Sequence, residues 1–365
     1  MIRPTSPVPI GMEQALADKA SVEKRRRTPD LHAMIPLSVL DLSPIVQGGD
    51  AGQSLRASAD LAQAAERLGY KRFWMAEHHS MPGIASAATS VALAFVGSRT
   101  ASIRIGAGGI MLPNHAPLTI AEQFGTLESL YPGRIDLGLG RAPGTDLAAA
   151  YALRRNLNAD ANQFPDDVVE LMNYLKGTNG RVRAVPGEGL DIPIWILGSS
   201  LFGAQLAAML GLPYAFASHF APQMMMEAIH VYRERFEPSE ELDRPYVMLG
   251  FNVFAAETDD EAQRLATSVQ QAFVALRTGN PTQLPPPLPG YSETLPLQAR
   301  AILESVLSCS AIGSRETVAR EIEAFVKRTG ADELMITSQI FDSTARVRSY
   351  ELLMDAVRQP EPSPA

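Results

Sequence analysis

From residue 34 onward the chain alternates short apolar runs with longer amphipathic stretches, and this alternation limits the possible folds more than any other feature. Apolar runs without polar alternation indicate strands that are covered on both faces, as in parallel sheets flanked by helices. Most of the runs are followed by helical sequence, which favours an α/β fold, a (β/α)8 TIM barrel, over an open doubly wound sheet. The eight runs are 35–40, 72–77, 103–112, 135–140, 192–198, 214–219, 247–256 and 333–339.

The barrel is predicted to form one domain over residues 34–358. This length exceeds the ~250 residues of a typical barrel, so the barrel needs insertions. One insertion follows strand 4, at 142–164, and a second one, at 278–298 between strands 7 and 8, is too rich in proline for regular structure. Long loops of this kind usually cover the active face of a barrel. We expect residues 1–33 to be a disordered N-terminal extension and residues 359–365 to be a flexible tail.

Composition excludes several classes of protein. The 365 residues carry a net charge of −8, whereas a nucleic-acid-binding protein needs a clustered basic face. No apolar run approaches the ~18–20 residues that a membrane span requires. The single cysteine, Cys309, excludes a disulfide scaffold and a cysteine-based zinc site, and we expect it to be buried. Because Arg25–Arg27 lack the apolar stretch of an export signal, we expect a cytoplasmic protein.

Strand 2 ends on Glu77, His78 and His79, which raises the question of a metal site. Barrel hydrolases often use two histidines separated by one residue, but adjacent histidines point to opposite faces of a strand. His115 follows strand 3 within a turn between two prolines, and no carboxylate is placed as a clear third ligand beside His78 and His219. The sequence therefore predicts no metal ligands.

Two segments after neighbouring strands are suited to a phosphate group. Arg141 follows strand 4 within LGLGRAPG, and its planar guanidinium can bind a phosphate with two hydrogen bonds. Gly198, Ser199 and Ser200 form the turn into a helix, whose first amides and positive dipole end favour anions. Taken singly, such an arginine is usually a surface residue and such a turn is usually a helix cap. Their occurrence after neighbouring strands favours the phosphate site.

Strand 3 contains glycines where a core strand normally has larger residues. Gly108 and Gly109 lie within GAGGIMLP, and each glycine costs ~0.5–1 kcal/mol relative to alanine. Glycine inside a strand often marks the close approach of a ligand or of another part of the backbone. A flat ring lying against the strand and a packing notch for a helix explain the pair equally well.

The stretches AEHH, GAGGIMLPNHAPLTIAEQFGTLESLYPGRIDLGLGRAPG and GSS occur here in an order and spacing that resemble the bacterial luciferase-like flavin-dependent monooxygenase family, in particular its luciferase-like monooxygenase subgroup. The resemblance covers nearly everything after residue 34. It implies a barrel that binds reduced FMN, which a separate NAD(P)H-dependent flavin reductase supplies.

The resemblance also implies roles for individual residues. His78 is expected to lie near the flavin and to assist proton transfer, whereas His79 is structural. Gly108 and Gly109 are expected to be joined by a cis peptide bond beneath the flavin ring. Arg141 and the turn at 198–200 are expected to hold the FMN phosphate.

The implied reaction is the oxidation of a small organic substrate by reduced FMN and O2. Luciferase carries a reactive cysteine just before its phosphate arginine, but this chain has Gly140 there, so light emission is not implied. Three alternatives stay open: an oxidoreductase that transfers hydride with the deazaflavin F420, a non-catalytic flavin-binding protein, and a metal hydrolase.

The predicted helices at 86–99 and 118–131 are apolar around much of their circumference. The family's dimers pack through this region, so we expect a homodimer.

Overall fold

The computed structural model describes residues 35–141, 152–153 and 163–358. Its strands are β1 (Leu37–Asp41), β2 (Arg72–Met75), β3 (Arg104–Met111), β4 (Ile135–Gly140), β5 (Ile194–Gly198), β6 (Tyr214–Phe216), β7 (Val247–Ala255), β8 (Ser310–Gly313) and β9 (Glu333–Thr337). They form one parallel sheet in the order β6-β5-β4-β3-β2-β1-β9-β7-β8, and pairing of β6 with β7 closes eight of the strands into a barrel. The predicted (β/α)8 barrel is confirmed, and its eight strands match the eight apolar runs.

Helices connect the strands and cover the outside of the barrel. They are α1 (Ala51–Leu68), α2 (Thr89–Arg99), α3 (Pro117–Leu130), α4 (Phe164–Lys176), α5 (Leu201–Met209), α6 (Met225–Glu234), α7 (Asp259–Arg277), α8 (Tyr291–Thr294), α9 (Leu297–Val306), α10 (Arg315–Thr329) and α11 (Ser343–Val357), with a 3-10 helix at Leu112–Asn114. None of the described helices is both long enough and apolar enough to cross a membrane.

Local sequence determines where several helices begin and end. The Asp50 side chain accepts a hydrogen bond from the amide of Gln53, whose side chain accepts one in return from the Asp50 amide, and this capping box starts α1. The same helix ends at Gly69, and α10 ends at Gly330, with φ of 82° and 62° respectively. Glycine adopts this left-handed conformation without steric penalty, so both helices stop where the sequence indicates.

The ninth strand, β8, was not predicted. It pairs with the last part of β7, from Asn252 opposite Ser310 to Ala255 opposite Gly313, while β9 pairs with the earlier part of β7. β8 lies on the edge of β7 where β6 pairs only with residues 247–249, so the later residues of this nine-residue strand are available to β8. Only every second residue of β8 is buried, and the strand has four residues, so it lacks the continuous apolar run of the barrel strands.

The insertion at 278–298 is only partly irregular, which corrects the prediction. Residues 278–290 contain no helix, but α8 and the start of α9 lie within the insertion. The prolines do not interrupt these helices, because Pro296 occupies the N-cap position of α9. Leu284 is fixed to the loop after β1, since its amide donates to the carbonyl of Ile45 (2.9 Å) and its carbonyl accepts from the amide of Gln47 (2.8 Å). The insertion is therefore attached to the loop that follows the C-terminal end of β1.

Three predicted segments fall mainly outside the described residues. They are the N-terminal extension at 1–33, the tail at 359–365 and most of the insertion at 142–164. Cys309, by contrast, is described and is buried as expected, at 1% exposure. Burial raises the pKa of its thiol, which keeps the thiol protonated and unreactive at neutral pH.

The barrel interior is apolar in its middle and charged at its N-terminal end. Trp74 and Trp195 pack edge to face, with ring centroids 5.3 Å apart, in a cluster that includes Met248 and Met335. Below this cluster, the buried guanidinium of Arg72 donates to two buried carboxylates: Asp136 at 2.8 Å and Glu333 at 2.8 Å. We call these three residues the basal network; it closes the end of the barrel opposite the strand ends considered next.

Candidate active site

The C-terminal ends of the barrel strands bring several of the predicted site residues to one rim. Glu77, His78 and His79 follow β2, and Arg141 follows β4. The turn at 198–200 follows β5, and His219 follows β6. Parallel strands place all of these ends at the same face of the barrel, where the active sites of TIM barrels lie.

His78 is a partly buried imidazole at this rim. Burial lowers the pKa of His78; the neighbouring Glu77 carboxylate opposes the shift, and His79 adds to it. The net pKa lies below the usual value for histidine, so the imidazole is neutral at pH 7. A neutral imidazole can accept a proton at one nitrogen and donate from the other.

Glu77 is the centre of a polar cluster beside His78. Its Oε1 accepts hydrogen bonds from Nε2 of His79 (2.6 Å) and Nε2 of His115 (2.8 Å), and its Oε2 accepts from the amide of Met111 (2.9 Å). Burial by itself would raise the pKa of Glu77, but the hydrogen bond and charge of His115, with the hydrogen bonds from His79 and the Met111 amide, lower it below its usual value. Glu77 is therefore an ionised carboxylate held between the ends of β2 and β3.

The role of this cluster was not predicted, although the sequence contains one signal for it. Glu77 and His79 are two residues apart after β2, a spacing that places both side chains on the same side of an extended chain. His115 reaches them because the 3-10 helix at Leu112–Asn114 turns the chain back after β3. The turn at His115 was recognised in the sequence, but not the residue that it contacts.

His219 lies close enough to His78 for the two imidazoles to interact electrostatically. Burial, with a smaller contribution from His78, lowers the pKa of His219 to about 4. The ring packs on Gly250, where no side chain would fit, and Asn252 donates to the His219 carbonyl (2.9 Å). Its Nδ1 is buried, and no described residue forms a hydrogen bond with it. Like His78, His219 is therefore neutral at pH 7.

The peptide bond between Gly108 and Gly109 is cis, as the resemblance implies. Both residues are partly exposed, and the pairing of β3 with β4 is irregular next to them. A Cβ atom on Gly108 would lie 2.9 Å from a methyl group of Leu40 and 3.0 Å from the ring of Trp74. A Cβ atom on Gly109 would lie 2.8 Å from the carbonyl oxygen of Gly138. Close packing thus requires both glycines, but the neighbours belong to barrel strands and not to a helix.

Arg141 and the turn after β5 lie together because β4 and β5 are adjacent, with Gly140 opposite Leu197. The Arg141 guanidinium stacks on the ring of Phe202, in the first turn of α5, with 4.2 Å between its central carbon and the ring centroid. A guanidinium whose face lies over an aromatic ring can still bind an anion through the N–H groups at its edge, which lie in its own plane. The contact with Phe202 was not predicted.

The start of α5 has hydrogen-bond donors available. Ser200 occupies the N-cap position with an extended backbone, but its side chain makes no capping hydrogen bond. Ser199 and Ser200 are both exposed, and a Cβ atom on Gly198 would have no neighbour closer than 3.9 Å. Ser200 thus occupies the cap position, as such a turn usually does, but its hydroxyl does not satisfy the first amides of α5. A guanidinium, two hydroxyls and uncapped helix amides form a donor set that fits a phosphate ester.

A sequence-family model described as luciferase-like monooxygenase matches residues 35–333. A protein of Escherichia coli (strain K12) named luciferase-like monooxygenase is 51% identical over 323 residues, which cover 88% of this chain and 96% of that protein. The N-acetyl-S-alkylcysteine monooxygenase of Bacillus subtilis (strain 168) is 33% identical over 341 residues, which cover 89% of this chain and 98% of that protein.

Solved structures share the fold. Apo-MsnO8 superposes with a TM-score of 0.79 at 35% identity, covering 88% of this chain and 98% of that one. An FMN complex of the oxygenating constituent of 3,6-diketocamphane monooxygenase from Pseudomonas putida has a TM-score of 0.66 at 19% identity, with 89% and 98% covered. An F420-dependent secondary alcohol dehydrogenase has a TM-score of 0.66 at 14% identity, with 89% and 100% covered. The last two similarities concern the fold alone.

Proposed function

Because the chain belongs to the luciferase-like monooxygenase family, we propose that it is a monooxygenase that uses reduced FMN and O2 to oxidise a small organic substrate. The observation that supports a phosphate-bearing flavin cofactor is the donor set formed by Arg141 and the uncapped start of α5 after neighbouring strands, and the family's monooxygenase description favours FMN with O2. FMN ends in a phosphate ester, and this donor set suits such a group.

In this proposal, Arg141, Ser199, Ser200 and the first amides of α5 hold the phosphate, and the Gly108–Gly109 segment lies against the flavin ring. Reduced FMN supplies the electrons that activate O2. The protein supplies binding, orientation and a surrounding that excludes water. The insertion is proposed to contribute to that exclusion, because Leu284 pairs with the loop that follows β1.

We propose that His78 accepts and donates a proton at the end of the site where the reaction takes place. It is partly buried, it is neutral at pH 7, and it lies at the end of a barrel strand. Proton transfer by a positioned side chain typically contributes about 10²–10⁴-fold to rate. His219 keeps the neighbouring surface uncharged, since its pKa of about 4 leaves it neutral.

Two further proposals concern association. A separate NAD(P)H-dependent flavin reductase in the cytoplasm is proposed to supply reduced FMN, because the proposed reaction needs a source of electrons. A homodimer is proposed through α2 and α3, where Val91 is 69%, Phe95 37% and Leu130 59% exposed. These side chains extend the apolar character of both helices to their outer surfaces.

Oxygen transfer is tested by coupling the purified protein to a flavin reductase with NADH and FMN under ¹⁸O2. N-acetyl-S-alkylcysteines are the first substrates to try, because a relative carries their name. One ¹⁸O atom in the product would support the proposal. Product formed with reduced F420 under anaerobic conditions, and none with reduced FMN and O2, would replace the proposal with hydride transfer. Tight FMN binding without turnover across a broad substrate panel would leave a non-catalytic flavin-binding protein.

A further inference from the structure

Glu77 differs in the charge of its partners from the three carboxylates that are 0% exposed, Asp41, Asp136 and Glu333. It is 2% exposed, and within the described residues its ion-pair partners are imidazoles only. These three carboxylates each contact a guanidinium at 2.7–2.8 Å: Asp41 with Arg346, and Asp136 and Glu333 with Arg72. A buried carboxylate without a permanent cation is costly unless a positive charge is supplied.

The atoms around Glu77 are arranged as ligands of one metal ion. Oε1 of Glu77, Nε2 of His79 and Nε2 of His115 all lie within 4.8 Å of one another. Two imidazoles and one carboxylate are a ligand set that binds Zn²⁺ and other divalent transition metals. Such an ion would lie ~2.0–2.2 Å from each ligand atom, which the cluster can reach through small side-chain rotations.

The surroundings of the cluster also suit an ion. The Met111 amide holds Oε2 of Glu77, which fixes the carboxylate and leaves Oε1 for the ion. The side chains of His79 and His115 are 19% and 25% exposed, so water can complete the coordination from the solvent side. Each ligand follows a barrel strand directly or through one turn of 3-10 helix, and this holds its backbone in place.

The sequence argument against a metal looked for a carboxylate ligand beside His78 and His219, and it did not combine Glu77 with His79 and His115. Two ligands separated by one residue are present after β2, but they are Glu77 and His79. The side chain of His78, which lies between them in the sequence, points to the other side. The adjacent histidines thus belong to two different sets, one at the flavin side of the rim and one in the cluster.

We propose that Glu77, His79 and His115 bind one divalent transition-metal ion of the class that Zn²⁺ represents, with the remaining coordination positions open to water. The ion balances the negative charge of the buried Glu77 carboxylate. It also cross-links the segment after β2 to the segment after β3. This site is separate from the donor set proposed for FMN and does not depend on the proposed function.

The test is a titration of tag-free, chelator-treated full-length protein with Zn²⁺ by calorimetry, and with Co²⁺ by visible absorption. We expect one equivalent to bind, with a Co²⁺ spectrum that indicates imidazole and carboxylate ligands, and a rise in melting temperature with Zn²⁺. His115 is the most exposed of the three ligands, so its replacement disturbs the fold least. His115→Ala should weaken Zn²⁺ binding by at least about tenfold. His79→Ala should do the same, and circular dichroism checks the fold of both.

His230→Ala is the matched control, because His230 lies 74% exposed on α6, and this variant should bind Zn²⁺ as the wild type does. The proposal would be overturned if the wild type bound no Zn²⁺ at micromolar concentration. It would equally be overturned if the His79 and His115 variants bound Zn²⁺ as tightly as the control. Glu77→Gln adds a second check, since it keeps the size of the side chain but removes the charge, and it should lose Zn²⁺ binding as well.

Discussion

The basal network and the polar cluster around Glu77, at opposite ends of the barrel, differ in how a buried charge is balanced. At the N-terminal end, the basal network pairs Arg72 with Asp136 and Glu333, and permanent charges are matched by hydrogen bonds of 2.8 Å. At the C-terminal end, Glu77 has imidazole partners, and His78 and His219 are neutral near pH 7. Permanent pairs serve stability, whereas groups whose charge can change serve binding and chemistry. The comparison predicts that substitutions at the basal network affect folding and those at the opposite rim affect function.

The largest effect is expected from Arg72→Met. Removing the guanidinium takes the buried shared partner from Asp136 and Glu333, which keep only the partly exposed Arg104 and Lys71, and it should cost up to about 3–5 kcal/mol in the free energy of unfolding. Urea denaturation followed by circular dichroism measures it. Arg320→Met, at an exposed arginine whose ion pair with Glu321 is 3.4 Å long, should change stability by about 0.5 kcal/mol or less. Similar values for both variants would remove the structural role assigned to the basal network.

His78→Gln should show the reverse behaviour. We expect kcat to fall by about 10²–10³-fold, because the proton-transferring group is lost, while the affinity for reduced FMN stays within a few-fold. Urea denaturation should show a stability close to that of the wild type. If the variant lost FMN binding but regained the wild-type rate at saturating FMN, His78 would be a binding residue and the assigned role in proton transfer would be wrong.

The rim should also make stability depend on pH. His219 has a pKa of about 4 in the folded protein against 6.5 for an ordinary histidine, so between these values the unfolded chain binds more protons. The free energy of unfolding should therefore fall as the pH drops from about 6.5 to about 4, by at most ~3 kcal/mol. His219→Gln should flatten this decline and His230→Gln should not. Equal slopes for both variants would contradict the assignment.

A smaller effect is expected from Arg141→Gln. Losing one charged phosphate contact should weaken FMN binding by about tenfold, close to 1.4 kcal/mol. Riboflavin lacks the phosphate, so its affinity should not change. Arg181→Gln, at an exposed arginine before β5, is the control. An equal loss of affinity for FMN and riboflavin would place Arg141 at the ring or in the fold instead of at the phosphate.

The parts of the molecule that sequence could predict depend on local pattern. The eight barrel strands were predictable because each contains a mainly apolar run without polar alternation, most of which is buried. β8 was not predictable, since four residues with alternating burial carry little signal. The contact between Glu77 and His115 joins residues 38 positions apart and depends on the turn after β3. The stacking of Arg141 on Phe202 likewise depends on two strands being neighbours, which no local pattern specifies.

The most direct test of the proposed function is an anaerobic titration of the protein with reduced FMN, followed by tryptophan fluorescence. The two tryptophans lie inside the barrel, and Trp74 packs directly against Gly108, where the flavin ring is proposed to lie. We predict saturable quenching with one FMN per chain, and slower oxidation of the bound flavin than of free reduced FMN when O2 is admitted. Absence of quenching by FMN, together with quenching by F420, would contradict the proposal.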